Sequence, residues 1–402
     1  MAELTRALDE VVRRERARVL AALVRLCCGL DDAEDAFHDA VLAAMRAWGD
    51  GLPANPGAWL MTAARNRARD VRRHRAVVAA RAPMLARDDI DPRDDDPEVV
   101  ADDVLRLLFT CCHPCLSREN QVALTLKLVA GFSTEQLARA FVTTEDTVSQ
   151  RVLRARHALA AHPLPDALGA PEDLPARARG VLGVVHAIFT EGHTAARGAL
   201  QRVDLQEEAL RLARLTCDLL PDHADAFGLL ALIAFGVARA PARVDDEGVP
   251  VLLPAQDRAA WRRPRMREGL MALRWARAVG APGAYVLQAE IAAQHIVAPT
   301  WEATDWPRIV ALYDALLELE RSPVVELHRA VARAMRDGPQ AGLAALAHLE
   351  GALSHHHLFY AVRADLLHRA GRDGLPDLRR ARELATNDGE RRLLERRIRQ
   401  RA

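Results

Sequence analysis

Residues 133–160, STEQLARAFVTTEDTVSQRVLRARHALA, leave the backbone little choice. Ser133 followed by Gln136 is a capping-box spacing, in which two side chains satisfy amides left open at a helix start. Thr143 and Asp146 repeat it, so the stretch predicts two short helices with a turn through Val142. Leu137, Ala138, Ala140 and Phe141 make the inward side of the first helix. In the second, Val148, Val152, Ala155 and Leu159 share one face, and Thr147, Gln150, Arg151 and Arg154 lie opposite. This is the pattern of a helix-turn-helix, whose second helix can offer hydrogen-bonding and cationic side chains to a DNA groove. An ordinary helical hairpin has the same spacing.

The rest of the chain is equally helical in pattern. Alanine, leucine and arginine dominate and β-branched alternation is nearly absent, which predicts an all-α protein. At 402 residues it should form two or three domains. Formal net charge is zero, so any nucleic-acid surface must be local and balanced by acidic segments elsewhere. Six cysteines, four of them in two adjacent pairs, and no recognisable signal peptide suggest a reducing cytoplasm. No apolar run suggests a membrane span.

Near the N-terminus, a helix from Leu8 to Cys28 should stop at Gly29. Then comes DDAEDAFHDAVLAAMRAW, with Ala33, Phe37, Ala40, Val41, Ala44, Met45 and Trp48 as an apolar stripe. Asp35, His38, Asp39 and Arg46 form its polar face, suited to water or to a protein partner. Asn55 and Pro56 mark the next helix start. In NPGAWLMTAARNRARDVRRHR, Leu60, Ala64, Ala68 and Val71 point inward with Trp59, while Thr62, Arg65, Asn66, Arg69, Arg72 and Arg73 occupy the remaining circumference. Seven Arg against one Asp between Met61 and Arg81 make a strong local field, able to hold a nucleic-acid backbone.

Residues 82–101 turn acidic and carry two prolines in DIDPRDDDPEVV, which predicts an extended linker that DNA would repel. After it, Val104, Leu107, Leu108, Cys111 and Cys115 keep helical spacing. Cys111, Cys112, His113 and Cys115 lack the loop spacing of a tetrahedral zinc site, and small buried hydrophobes account for Cys111 and Cys115. Ser117 should start a further helix, in which VALTLKLVA is apolar on nearly every side, with Gly131 closing it.

These motifs together resemble a bacterial RNA polymerase sigma factor of the extracytoplasmic-function type. DAEDAFHDAVLAAMRAW resembles its polymerase-binding helix, NPGAWLMTAARNRARDVRRHR the helix that recognises and opens the −10 element, and LTLKLVAGFSTEQLARAFVTTEDTVSQRVLRARHAL the −35-reading region. FTCCHP and the long helical extension resemble the subgroup with a C-terminal tetratricopeptide-like domain. The resemblance implies core polymerase contact through Asp35, His38, Asp39 and Arg46. It implies single-stranded −10 contact through Thr62, Arg65, Asn66, Arg69, Arg72 and Arg73, and −35 duplex contact through Thr147, Gln150, Arg151 and Arg154. Expected boundaries are 1–80 for the first sigma region, 81–101 for the linker, 102–163 for the second region and 164–402 for the extension.

In that extension, ALRLARLTCDLLPDHADAFGLLALIAF, VVELHRAVARAMRDGPQAGLAALAHLEG and FYAVRADLLHRAGRDGLPDLRRARELA read as helical hairpins. Gly338 and Gly371 lie 33 positions apart (371 minus 338), close to the tetratricopeptide period of about 34. Residues 241–265 read as a long surface connection. Stacked hairpins could hold a peptide, another protein or the chain's own sigma regions. His355, His356 and His357 read as a solvated helix start, and neither they nor Glu191-Gly192-His193 assemble a catalytic constellation. The expected protein is therefore no enzyme, carries no cofactor, and acts in the cytoplasm on promoter DNA and core polymerase. The competing reading is a helix-turn-helix regulator with a helical-repeat sensor, acting without polymerase. A zinc hydrolase built on the Cys and His clusters is a third class with little support.

Overall fold

Helical periodicity becomes helical structure throughout the computed structural model, which describes residues 2–27, 30–49, 51–78, 97–141, 143–160, 174–195 and 197–401. Among the described residues there are α-helices, short 3-10 turns and one isolated antiparallel bridge, Val244 with Pro250, but no strand ladder. The all-α class holds. The chain divides into two compact units, 1–184 and 185–402.

In the first unit, α1 (Ala2–Cys27), α2 (Leu30–Ala47) and α3 (Pro56–Val78) pack on one another. Leu20, Leu23, Phe37, Leu60 and Met61 are fully buried between them. Each such side chain contributes about 1.5–3 kcal/mol through loss of apolar surface to water. Asn55 caps α3 by accepting the Ala58 amide at 3.1 Å. Trp59 is half-buried and meets buried Trp48 edge-on, ring centroids 5.3 Å apart, a core aromatic. Two details differ from expectation. Helix α1 already begins at Ala2, and Met45 is 56 % exposed. The buried arc of α2 follows Ala33, Phe37, Ala40, Ala44 and Trp48, and Met45 sits on its flank. Gly29, the expected stop, lies outside the described residues.

Helix α4 (Pro97–Cys111) starts inside the expected linker, so only residues before Pro97 remain for it. Proline suits a helix's first position, where its missing N–H costs nothing. Residues 79–96 lie outside the described residues. Cys111 and Cys112 are buried, but Cys115 is exposed, because α4 ends before its spacing can carry through Pro114. Helix α5 (Arg118–Leu128) is capped by Ser117 and buried on nearly every side, from Gln121 to Leu126 and at Leu128. Then follow α6 (Thr134–Ala140), α7 (Glu145–Ala160) and α8 (Leu174–His193). The first part of α8 belongs to this unit: Arg118 donates to the Gly180 carbonyl at 3.2 Å, and the Arg177 guanidinium stands 5.8 Å from the Phe109 ring centroid.

The second unit runs through α9 (Val203–Leu219), α10 (Ala224–Arg239), α11 (Arg263–Val279), α12 (Ala284–Val297), α13 (Trp306–Leu319), α14 (Pro323–Asp337), α15 (Pro339–Leu346), α16 (His357–Arg369), α17 (Leu375–Leu384) and α18 (Asp388–Arg401). Each packs on its neighbours in sequence, and α10 lies against α9, α11 and α12. Residues 224–242 are apolar and long enough to cross a membrane by composition, but they are mostly buried and form the core helix of this unit. Gly338 and Gly371 both adopt positive φ, 95° and 70°, a region costly to residues with a Cβ. They mark equivalent bends, each following the first helix of a hairpin.

Residues 241–265 are more structured than a surface connection. Val249, Gln256 and Trp261 are buried, and 3-10 turns occupy Leu253–Ala255 and Arg258–Ala260. The C-terminal helix explains part of this order. Arg396 of α18 pairs with Asp245 and Glu247, both at 2.7 Å. Buried Asn387 donates to the carbonyls of Ala195 at 2.9 Å and Gly198 at 3.2 Å. The end of the unit is thereby tied to its beginning. His356 and His357 stand at the start of α16, but they are half-buried and not solvated as read, with His357 3.3 Å from Glu390.

Candidate nucleic-acid and partner interfaces

The helix-turn-helix is built as its caps dictate. Ser133 Oγ accepts the Gln136 amide at 3.0 Å, and Gln136 Oε1 accepts the Ser133 amide at 2.8 Å. The second cap is shifted by one residue from the expected Thr143. Thr144 Oγ1 accepts the Thr147 amide at 3.2 Å, and the two threonine hydroxyls lie 2.9 Å apart. The helix therefore opens at Glu145, and Asp146 sits in its first turn, where a carboxylate complements the helix dipole. Val148, Val152, Ala155 and Leu159 are buried as expected. Thr147, Gln150 and Arg154 are exposed, Arg151 is half-buried, and Arg154 Nε donates to the Gln150 carbonyl at 3.2 Å. Part of Thr147's hydrogen-bonding capacity serves the cap; Gln150 and Arg151 form no side-chain bond to another described group.

On α3, Thr62, Asn66 and Arg73 are exposed and Arg69 is half-buried. Thr62 Oγ1 donates to the Ala58 carbonyl at 3.0 Å, and Asn66 Oδ1 accepts from Arg69 at 3.1 Å. Arg65 was expected on the outer surface and is instead buried, on the same side as Leu60, Met61, Ala64 and Ala68. The Arg72 side chain lies outside the described residues. On α2, Asp35, His38, Asp39 and Arg46 are all exposed and share one face. Partial loss of solvent, then the charges of Arg16 and Lys127, pull the His38 imidazole below its ordinary pKa; Asp35 and Asp39 offset only part of this. The shift favours the uncharged imidazole.

A buried ionic network, not singled out from the sequence, adjoins this face. Glu34 on α2 accepts from Arg16 of α1 at 3.0 Å and also pairs with Arg156 of α7. Arg156 reaches Asp31 as well, at 2.7 Å, while Arg16 Nε donates to the Leu128 carbonyl of α5 at 3.1 Å. The side chains of Arg16 and Glu34 are 9 % and 8 % exposed. Burial, followed by the charge of Arg156, lowers the Arg16 pKa to about 10. The carboxylate of Glu34 thus sits between two guanidiniums, and the helix-turn-helix is fastened to the N-terminal helices. A signal was present: Arg16 falls among Val12, Val19, Leu20 and Leu23, and Glu34 among Leu30, Phe37 and Val41, single charges inside apolar stripes.

Comparison with known proteins adds three findings. Residues 11–77 match sigma-70 region 2. Residues 177–277 match a family of unknown function (DUF6596). Over 393 residues the chain is 38 % identical to an uncharacterised protein of Rhizobium meliloti (strain 1021), covering 95 % of this chain and 93 % of that one. No solved structure matches.

Proposed function

We propose, on the match of residues 11–77 to sigma-70 region 2, that the chain is a sigma factor that binds RNA polymerase for promoter recognition, of the extracytoplasmic-function type with a tetratricopeptide-like C-terminal domain. In this reading it acts in the cytoplasm. The observation that carries it is the conjunction of a sigma-70 region 2 match over α1–α3 with an independently capped helix-turn-helix in the same unit. Asp35, His38, Asp39 and Arg46 would face core polymerase. Thr62, Asn66, Arg69 and Arg73 would follow the −10 strand, with Arg65 supporting the helix from inside. Gln150, Arg151 and Arg154 would enter the −35 major groove, with Thr147 at the cap. A regulator acting without polymerase would have no use for the Arg- and Asn-bearing surface of α3.

Geometry adds a requirement. Elements centred at −10 and −35 are roughly 85 Å apart along straight B-DNA, from about 3.4 Å of axis per base pair. Helices α2 and α7 are in side-chain contact through Glu34 and Arg156. One molecule cannot read both elements in this arrangement. We infer that the Arg16–Glu34–Arg156 network holds a closed state that polymerase binding must open, and that the C-terminal domain biases this opening.

Arg151 gives a local test. Arg151→Ala should weaken discrimination between the correct and a mutated −35 duplex by about 1–3 kcal/mol, the worth of one good base contact. Transcription from promoter variants, in reactions with core polymerase, measures it. Unchanged preference would remove Arg151 from the base-reading set.

A further inference from the structure

Helix α11 lies outside both sigma-like regions and carries a distinctive exposed surface. Its inward side is Met266, Gly269, Ala272, Leu273 and Ala276, all buried. Its outward side, at helical spacing, is Arg263, Arg267, Met271, Arg274 and Trp275, all exposed. Met271 is 59 % and Trp275 58 % exposed, the two most exposed large side chains of this kind on the helix. An ordinary solvated helix face has little reason to hold both out in water, because removing such apolar side chains from water is favourable.

The charges around them are unbalanced. Six arginines lie between Arg262 and Arg277. Three have carboxylate partners: Arg262 with Glu207 at 3.0 Å, Arg265 with Glu207 and Glu268, and Arg277 with Glu290 at 2.8 Å. Glu268, the helix's own acid, is held by Arg214 and Arg265. Arg263, Arg267 and Arg274 have no carboxylate partner among the described residues, and these are the three that flank Met271 and Trp275. Trp, Arg and Met are the residue types enriched where proteins bind proteins.

We propose that this face of α11 is a docking site for an acidic amphipathic helix of a partner protein. The partner's apolar ridge would cover Met271 and Trp275, and its flanking carboxylates would pair with Arg263, Arg267 and Arg274. A second copy of the chain does not fit, since the face would meet its own positive charge. Nucleic acid fits less well: three arginines on one convex helix neutralise few phosphates, and an exposed methionine adds nothing to base stacking. The site lies within the stretch shared with the family of unknown function, so docking of such a helix is a role for that stretch distinct from promoter recognition.

The test uses the full chain and a fluorescein-labelled synthetic peptide of about five helical turns, with leucines on one face and glutamates elsewhere. A peptide of the same composition in scrambled order and a single-stranded oligonucleotide serve as the other probes. Anisotropy should show the amphipathic peptide binding at least about tenfold more tightly than the scrambled one. Trp275→Ala, and separately Arg267→Glu with Arg274→Glu, should each remove that advantage, with circular dichroism unchanged. The proposal fails if the amphipathic peptide does not bind or binds no better than the scrambled one. It fails equally if the variants leave peptide binding intact, if they weaken oligonucleotide binding instead, or if sedimentation shows a dimer that Trp275→Ala abolishes.

Discussion

Glu34→Ala is expected to lower the stability of the first unit by about 3–5 kcal/mol, the usual effect of removing one partner from a buried ion pair. The size follows from what is left behind. Arg16, with a side chain 9 % exposed, keeps its bond to the Leu128 carbonyl but loses the only carboxylate at hydrogen-bond distance among the described residues. Arg156 loses its buried partner and retains Asp31 at the surface. Glu34→Gln keeps the shape and an acceptor oxygen, so it falls between wild type and alanine. Adding Arg156→Ala to Glu34→Ala recovers part of the loss, because the Arg156 charge, which has lost its buried partner and opposes Arg16, is gone. Hydrogen exchange at the α1 amides from Val19 to Leu23, in the full chain, reads these differences. Protection equal to wild type in Glu34→Ala would show that Glu34 ties nothing together.

Phe235→Ala is expected to cost the second unit about 3–5 kcal/mol, the range for emptying the space of a buried phenylalanine. Phe235 on α10 is 1 % exposed, and its ring lies where a Cβ on Gly269 of α11 would be, 2.5 Å from Cε1. The absence of a side chain at Gly269 lets α11 settle directly on the ring. Removing the ring opens a cavity along the α10–α11 contact, the seam that fixes α11 with Met271 and Trp275 outward. Exchange protection should fall across α10 and α11. A loss below about 1 kcal/mol would mean that the two helices collapse together and that the ring is not their spacer.

Much of this architecture could be read from local chemistry. Ser133 with Gln136, Ser117 and Asn55 are capping signals that act within one turn, and each starts the helix it was expected to start. Amphipathic spacing identified the buried residues of α7 and most of those of α2. What failed was decided by tertiary partners or by competition between near-equal caps. Thr143 and Thr144 are both competent, and Thr144 took the role because its hydroxyl reaches Thr147. Met45 and Arg65 sit at the edges of their helical arcs, where a neighbour's position, not the spacing, decides burial. Part of the order in residues 241–265 depends on α18, where Arg396 lies 151 positions from Asp245. The Arg16–Glu34–Arg156 network spans 122 positions between Glu34 and Arg156, and only the misplaced charges hinted at it.

Among the interface residues, the exposed face of α2 and the outer face of α7 were legible because helical geometry alone assigns sides.

A promoter-specificity subunit that opens from a closed state on core polymerase must start transcription only together with that polymerase. In vitro transcription tests it most directly, with the purified full chain, bacterial core polymerase and a template carrying the DNA upstream of the chain's own gene. Permanganate footprinting would accompany it. The account predicts a specific transcript and reactive thymines near −10, both dependent on core polymerase, with a lower core concentration sufficing for an Arg156→Ala variant. Duplex binding by the chain alone, with no association with core and no melted region even in that variant, would contradict it.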